Sequence, residues 1–102
     1  MQIMTNQEII LPDSPTNGIS DADIKKGEFR ITVNSKGFFD RNHESPQITI
    51  NTLVIEASYT AREGRSDILR IGKQAMEDLK LKPGGRTKIT KKGVNQYSIS
   101  RF

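Results

Sequence analysis

From Gln47 to Tyr59 every stretch of the chain favours extended backbone, yet its apolar phase slips once. Ile48 and Ile50 fall on even positions, whereas Leu53, Ile55, Ala57 and Tyr59 fall on odd ones. Side chains alternate across a strand with period two, so one straight strand cannot send both sets into the same core. A bulge or tight bend near Asn51-Thr52 is required, and bent long strands are how small barrels and strongly coiled sheets turn their corners.

The other elements fit a mainly β body. Glu28 to Val33 alternates, with Phe29, Ile31 and Val33 on one face and Glu28, Arg30 and Thr32 on the other, as a half-buried strand does. Asn34-Ser35-Lys36-Gly37 is a turn cluster, and Phe38-Phe39 after it demands a bend or helical turn, since adjacent side chains of an extended chain face opposite ways. Both rings are expected to anchor the connection to the core; the other use for them, beside Lys36 and Arg41, is stacking on bases. Ile68 to Ile71 reads as a short strand broken by Gly72, and Lys73 to Leu81 as a helix burying Ala75, Met76 and Leu79 before Pro83-Gly84 stops it. Thr87 to Thr90 and Val94 to Phe102 flank Lys91-Lys92-Gly93, which predicts a hairpin whose glycine supplies positive φ. Tyr97 and Ile99 share one face of its second strand, and Val94 and Phe102 the other. These patterns predict a mainly β (α+β) fold, a small open barrel or pseudobarrel with one short helix.

The length of 102 residues suits one domain, and 33% hydrophobic residues leave it a small core. The segment 1–26 is polar and broken by Pro12, Pro15 and Gly18; it is expected to be mostly flexible, with the domain proper over 27–102. Ile9-Ile10-Leu11 could add an edge strand there, and Ser20 with Asp23 has the spacing of a helix start. The chain has no cysteine, which rules out disulfides and thiolate metal sites. Without a long apolar run or a signal-like start, a soluble cytoplasmic protein with no membrane partner is expected.

Charge is unevenly spread. Residues 1–26 hold two lysines against four acids, whereas residues 62–102 hold eleven basic groups against four acids. Positive charge gathered in one region attracts polyanions over a Debye length of about 8 to 10 Å.

The run G-R-S-D-I-L-R-I-G-K-Q-A-M, from Gly64 to Met76, resembles the pseudobarrel DNA-recognition domains of plant transcription factors and of restriction endonuclease recognition or effector modules. The resemblance implies an open barrel with arms that enter the major groove, in a regulatory or restriction-modification setting. The run from Ile68 to Ile89 is also similar to the swapped-hairpin DNA-binding domains of bacterial antitoxins and transition-state regulators, which would imply a dimer. Such a domain leaves the strands before residue 60 unexplained, so a monomeric pseudobarrel is preferred.

The expected partner is double-stranded DNA. In the arm, Arg65 and Asp67 are candidates for base contacts, Arg62 and Lys73 for phosphates, with Ser66 and Arg70 beside them; arginine pairs bidentately with guanine or phosphate, and an acid accepts from cytosine. On the hairpin, Lys88, Lys91 and Lys92 would fix position, and Asn95 and Gln96 could read adenine. Lys36 and Arg41 complete the set. The alternative partner is an acidic protein docked on the same basic face.

No catalytic residues, metal or cofactor are expected. Pro12-Asp13 with Asp23-Ile24-Lys25 matches a metal-dependent nuclease pattern, but that chemistry needs acids held on adjacent strands, and none are patterned there. His43 stands alone in a loop without neighbouring ligands.

Overall fold

A computed structural model of the chain describes residues 7–12, 18–42 and 45–102. In chain order these form β1 (Glu8–Leu11), α1 (Asp21–Lys26), β2 (Glu28–Ile31), a 3-10 helix (Val33–Phe38), β3 (Gln47–Ile50), β4 (Leu53–Glu56), β5 (Ser58–Thr60), β6 (Asp67–Arg70), α2 (Lys73–Asp78), β7 (Thr87–Gly93) and β8 (Gln96–Arg101). A five-stranded sheet has the order β1-β7-β8-β3-β4, and a three-stranded sheet the order β2-β6-β5. The fold is mainly β, as expected; its strands make two sheets and no closed barrel, and the described residues include three short helices in place of the one expected.

The phase slip at Asn51 turns out to be a complete reversal. β3 and β4 pair antiparallel from Gln47↔Glu56 to Ile50↔Leu53, with Asn51 at φ 57° in the turn between them. Asparagine is among the few residues that tolerate this left-handed backbone. Ile48 and Ile50 are buried in the five-stranded sheet, while Ala57 is a one-residue corner through which the chain crosses to the other sheet and buries Tyr59. Leu53, expected inside, is 57% exposed.

Part of the segment before residue 27 belongs to the packed body. β1 pairs with β7, and Leu11 and Ile19 are 0% and 1% exposed. Ser20 caps α1, its Oγ accepting from the Asp23 N–H at 3.1 Å. Gly27 ends that helix at φ 70°, and its carbonyl accepts from the N–H groups of Ile71 and Gly72 at 2.9 and 3.0 Å. A Cβ at Gly27 would lie 2.3 Å from the Gly72 carbonyl carbon, so both the conformation and the close approach demand glycine.

Several expectations are corrected locally. β2 ends at Ile31, so Val33 starts the 3-10 helix and is 66% exposed instead of facing the core. The helical turn does what Phe38-Phe39 requires: both rings are buried, edge to face at 5.2 Å, which leaves neither to stack on a base. Helix α2 stops at Asp78, not Leu81, but Ala75, Met76 and Leu79 are buried as expected. In the C-terminal hairpin the turn falls at Val94-Asn95, with Asn95 at φ 58°, and Lys91 to Gly93 is strand with a bulge. Val94 and Phe102 are exposed, so β8 buries only its Tyr97 and Ile99 face.

Two glycines give a test. Gly27→Ala should cost about 1 to 3 kcal/mol in urea denaturation, from strain at positive φ plus the backbone clash, whereas Gly37→Ala, where a Cβ meets nothing within 4 Å, should stay within about 0.5 kcal/mol of the parent. Equal stability of the two variants would contradict this account of the α1–β2 junction.

Candidate nucleic-acid interface

Strand pairing builds a basic surface on the three-stranded sheet. The register sets Phe29, Leu69 and Tyr59 side by side, and all are buried. Alternation then sends the rows Glu28, Arg70, Ser58 and Arg30, Ile68, Thr60 to the opposite face. Lys26, at the end of α1, and Arg62 and Arg65, from the loop between β5 and β6, extend those rows around an open groove of about 850 Å³. Its lining holds five cations and one acid. Arg70 meets Glu28 at 3.2 Å, and Arg30 approaches Asp23 at 3.7 Å; both arginine side chains are 61% exposed. Lys26 and Arg65 have no ion-pair partner among the described residues.

The loop that carries Arg62 and Arg65 is fastened from beneath by Asp67, which is fully buried. Its carboxylate accepts from Arg41 Nε at 2.7 Å, the Tyr59 hydroxyl at 2.6 Å and the Arg62 main-chain N–H at 2.8 Å, with Lys36 Nζ at 3.3 Å. Lys36 and Arg41 also donate to the Arg62 carbonyl, and Arg62 Nε donates to the Ser66 carbonyl at 2.6 Å. Burial opposes the charge on Asp67, but the hydrogen bonds from Arg41, Tyr59 and Arg62, together with Lys36, outweigh it and hold the carboxyl well below the ordinary aspartate range. Burial, and then the bond to Asp67, push the Tyr59 hydroxyl far above its ordinary value.

This geometry corrects the expected roles of Asp67, Lys36 and Arg41. Asp67 cannot touch a base, because it is closed off as the anchor of the loop. The Lys36 side chain is 13% exposed and the Arg41 side chain 31%, both turned to that anchor. Ser66 is half-buried, and the exposed tip of the arm is Glu63 to Arg65, with Gly64 at φ 71°.

The hairpin residues belong to the other sheet. Lys91 Nζ donates to Asp40 at 3.0 Å and the Asn95 N–H donates to the same carboxylate at 2.6 Å, while Asn95 Nδ2 reaches the Ser45 carbonyl at 3.1 Å. Burial works against the Asp40 charge, but these donors hold its carboxyl below the ordinary value. The Asp40 N–H donates to the Tyr97 hydroxyl at 2.8 Å, and burial pushes that hydroxyl up to about 12. Lys91 and Asn95 thus lock the hairpin to the segment after the 3-10 helix and are not set out for base reading. Lys88 faces Glu8 at 3.8 Å, whereas Lys92, Gln96 and Lys73 are exposed and lie outside the groove.

The structure therefore gathers Arg62, Arg65 and Arg70 with Lys26 and Arg30, two cations that local sequence pattern does not single out. The signal for Arg30 was present in the polar face of the Glu28 strand, but only the β2–β6 register carries it to the arm. Asp23 and Lys25 of the nuclease-like pattern do not converge: Asp23 is buried in α1 and Lys25 pairs with Asp21 at 3.0 Å on the surface. Asp13 and His43 lie outside the described residues, among which no group of three His, Cys, Asp or Glu could hold a metal ion.

Comparison with protein-family models, curated proteins and solved structures finds no match to this chain.

Replacing the anchor has a defined cost. Asp67→Asn should destabilise the fold by about 3 kcal/mol, because it leaves Lys36 and Arg41 beside an uncharged amide. A carboxyl whose folded value is depressed stabilises the protein above its unfolded value and loses that contribution as pH falls, so parent stability should decline below the ordinary aspartate value of 3.8. The decline should be shallower in Asp67→Asn; parallel acid limbs in chemical denaturation would contradict the assignment.

Proposed function

We propose that this chain is a non-catalytic DNA-binding module and that the outer face of the three-stranded sheet is its contact surface. One observation carries the reading: cations from α1, β2, β6 and the β5–β6 loop converge on a single groove whose one acid among the described residues is already paired with Arg70. Guanidinium groups spaced along a strand face suit successive phosphates, which they meet bidentately. Lys26, Arg30, Arg62 and Arg70 are placed for the backbone. Arg65, at the exposed tip beyond Gly64, is the one placed to reach a base edge. The resemblance of residues 64–76 to the arm-bearing segment of pseudobarrel DNA-recognition domains supports a DNA partner.

Duplex is favoured over single strand by where the aromatic rings are. Phe29, Phe38, Phe39, Tyr59 and Tyr97 are all buried, the exposed Phe102 follows β8 of the other sheet, and the groove lining holds no ring. Single-strand binders rely on exposed rings on which bases stack. What this surface offers is charge.

Binding by about four phosphate contacts should weaken roughly 150-fold between about 50 and 200 mM salt, from a log–log slope of about −3.6. Fluorescence anisotropy with a mixed-sequence duplex measures it. Arg30→Ala and Arg70→Ala should each lower affinity about tenfold and flatten the slope by about one unit, while Lys92→Ala should change affinity less than about twofold. No binding at low salt, or loss in Lys92→Ala but not in Arg30→Ala, would overturn the proposal.

A further inference from the structure

Four strand edges bound the two sheets, and three of them are guarded. β1 carries Glu8 against Lys88 and is followed by Pro12; β2 carries Glu28 and Arg30; β5 is three residues long, with polar Ser58 and Thr60 outward. Charge, brevity and proline are the usual means by which edges are kept from pairing with another chain. β4 carries one charge, Glu56, at its end, but Leu53-Val54-Ile55 before it has neither charge nor proline, and Leu53 and Val54 are 57% and 58% exposed.

The hydrogen-bonding phase of this edge follows from its neighbours. The Gln47 N–H donates to the Asn95 carbonyl, so Gln47 and Thr49 turn their peptide groups toward β8, while Ile48 and Ile50 turn theirs toward β4. The Ala57 N–H donating to the Pro46 carbonyl continues the same ladder. Leu53, Ile55 and Ala57 therefore pair inward, and the N–H and C=O groups of Val54 and Glu56 point away from the sheet, where no described residue pairs with them.

We infer that β4 is a self-pairing edge, which joins two copies of this chain through antiparallel β4 strands about a two-fold axis. Of the two-fold registers this phase allows, one uses the outward groups of both residues: Val54 opposite the partner's Glu56, which sets Ile55 opposite the partner's Ile55 and Leu53 opposite the partner's Ala57; pairing Val54 or Glu56 with its own copy would bond only one of them. This places Leu53 diagonally across from the partner's Ile55, so apolar side chains meet along the seam. The surrounding charge favours a second copy over a foreign acidic segment. From Asn42 to Ala61 the chain has no Lys or Arg, although it has sixteen elsewhere, so neither β4 nor β3 beside it sets a cation against its copy, and Arg70, which lines a groove with Glu56, is already paired with Glu28. The pairing would join the two five-stranded sheets into one continuous sheet. It differs from a swapped hairpin, since nothing is exchanged, and it does not rest on the DNA-binding proposal.

The full chain tests this directly. Sedimentation up to about 0.5 mM should show a concentration-dependent dimer, as a small interface requires. Val54→Glu sets like charges opposite each other and should weaken the dimer about tenfold or more, whereas Val54→Glu combined with Glu56→Lys should restore it, because both cross-strand pairs become attractive. In the cysteine-free background, Ile55→Cys should form a disulfide dimer on mild oxidation at least about tenfold faster than Val33→Cys, since facing residues of a non-hydrogen-bonded pair lie about 4.5 Å apart at Cα. A monomer throughout, an unchanged constant in Val54→Glu, or equal cross-linking of the two cysteine variants would overturn the inference.

Discussion

The interaction on which the candidate site depends is the buried carboxylate of Asp67. It lies at the start of β6, out of water, and survives there ionised because an arginine, a lysine, a tyrosine hydroxyl and a main-chain N–H converge on it. Removing a partner from a buried charge is strongly destabilising, because it leaves charge uncompensated in the interior. The network therefore holds several pieces of chain in fixed relation: the 3-10 helix through Lys36, the segment after it through Arg41, the edge strand through Tyr59 and the basic loop through Arg62.

A second carboxylate works beside it. Asp40 and Arg41 are neighbours in sequence, yet Asp40 ties down the C-terminal hairpin through Lys91 and Asn95 while Arg41 ties down the arm through Asp67. One short segment thus fixes both sheets' loops with opposite charges, and the buried Phe38 and Phe39 seat it on the core. With three cations spent on these anchors, the cations left outward are a smaller and better defined set than the sequence total suggests. Those on the three-stranded sheet stand in rows because strand pairing puts them there, and a surface that is ordered before a polyanion arrives loses less entropy on binding.

Features governed by nearest neighbours were legible in the sequence. The Phe29 and Ile31 alternation, the turn forced by adjacent phenylalanines, the Ser20 cap and the Ala75, Met76, Leu79 stripe all depend on spacing within a few residues. Features set by distant pairing were not. Arg41 and Asp67 are 26 residues apart, and a polar residue flanked by arginines reads as solvated until its partner is known. Arg30 joins the groove only through the β2–β6 register, and the parallel pairing of β3 with β8 has no local signature. The hairpin turn differs for a subtler reason: Gly93 is the stronger local turn signal, yet asparagine also adopts the left-handed conformation, and Asn95 is the residue that does so here.

The most direct measurement of the central claim is a titration of the isotope-labelled protein with a short duplex, followed through main-chain amide and arginine Nε–H signals. If the outer face of the three-stranded sheet meets DNA, shifts should concentrate on Arg30, Arg62, Arg65 and Arg70 and on the strands that carry them. Shifts gathered instead on Lys92 to Gln96, or none at low salt, would contradict it.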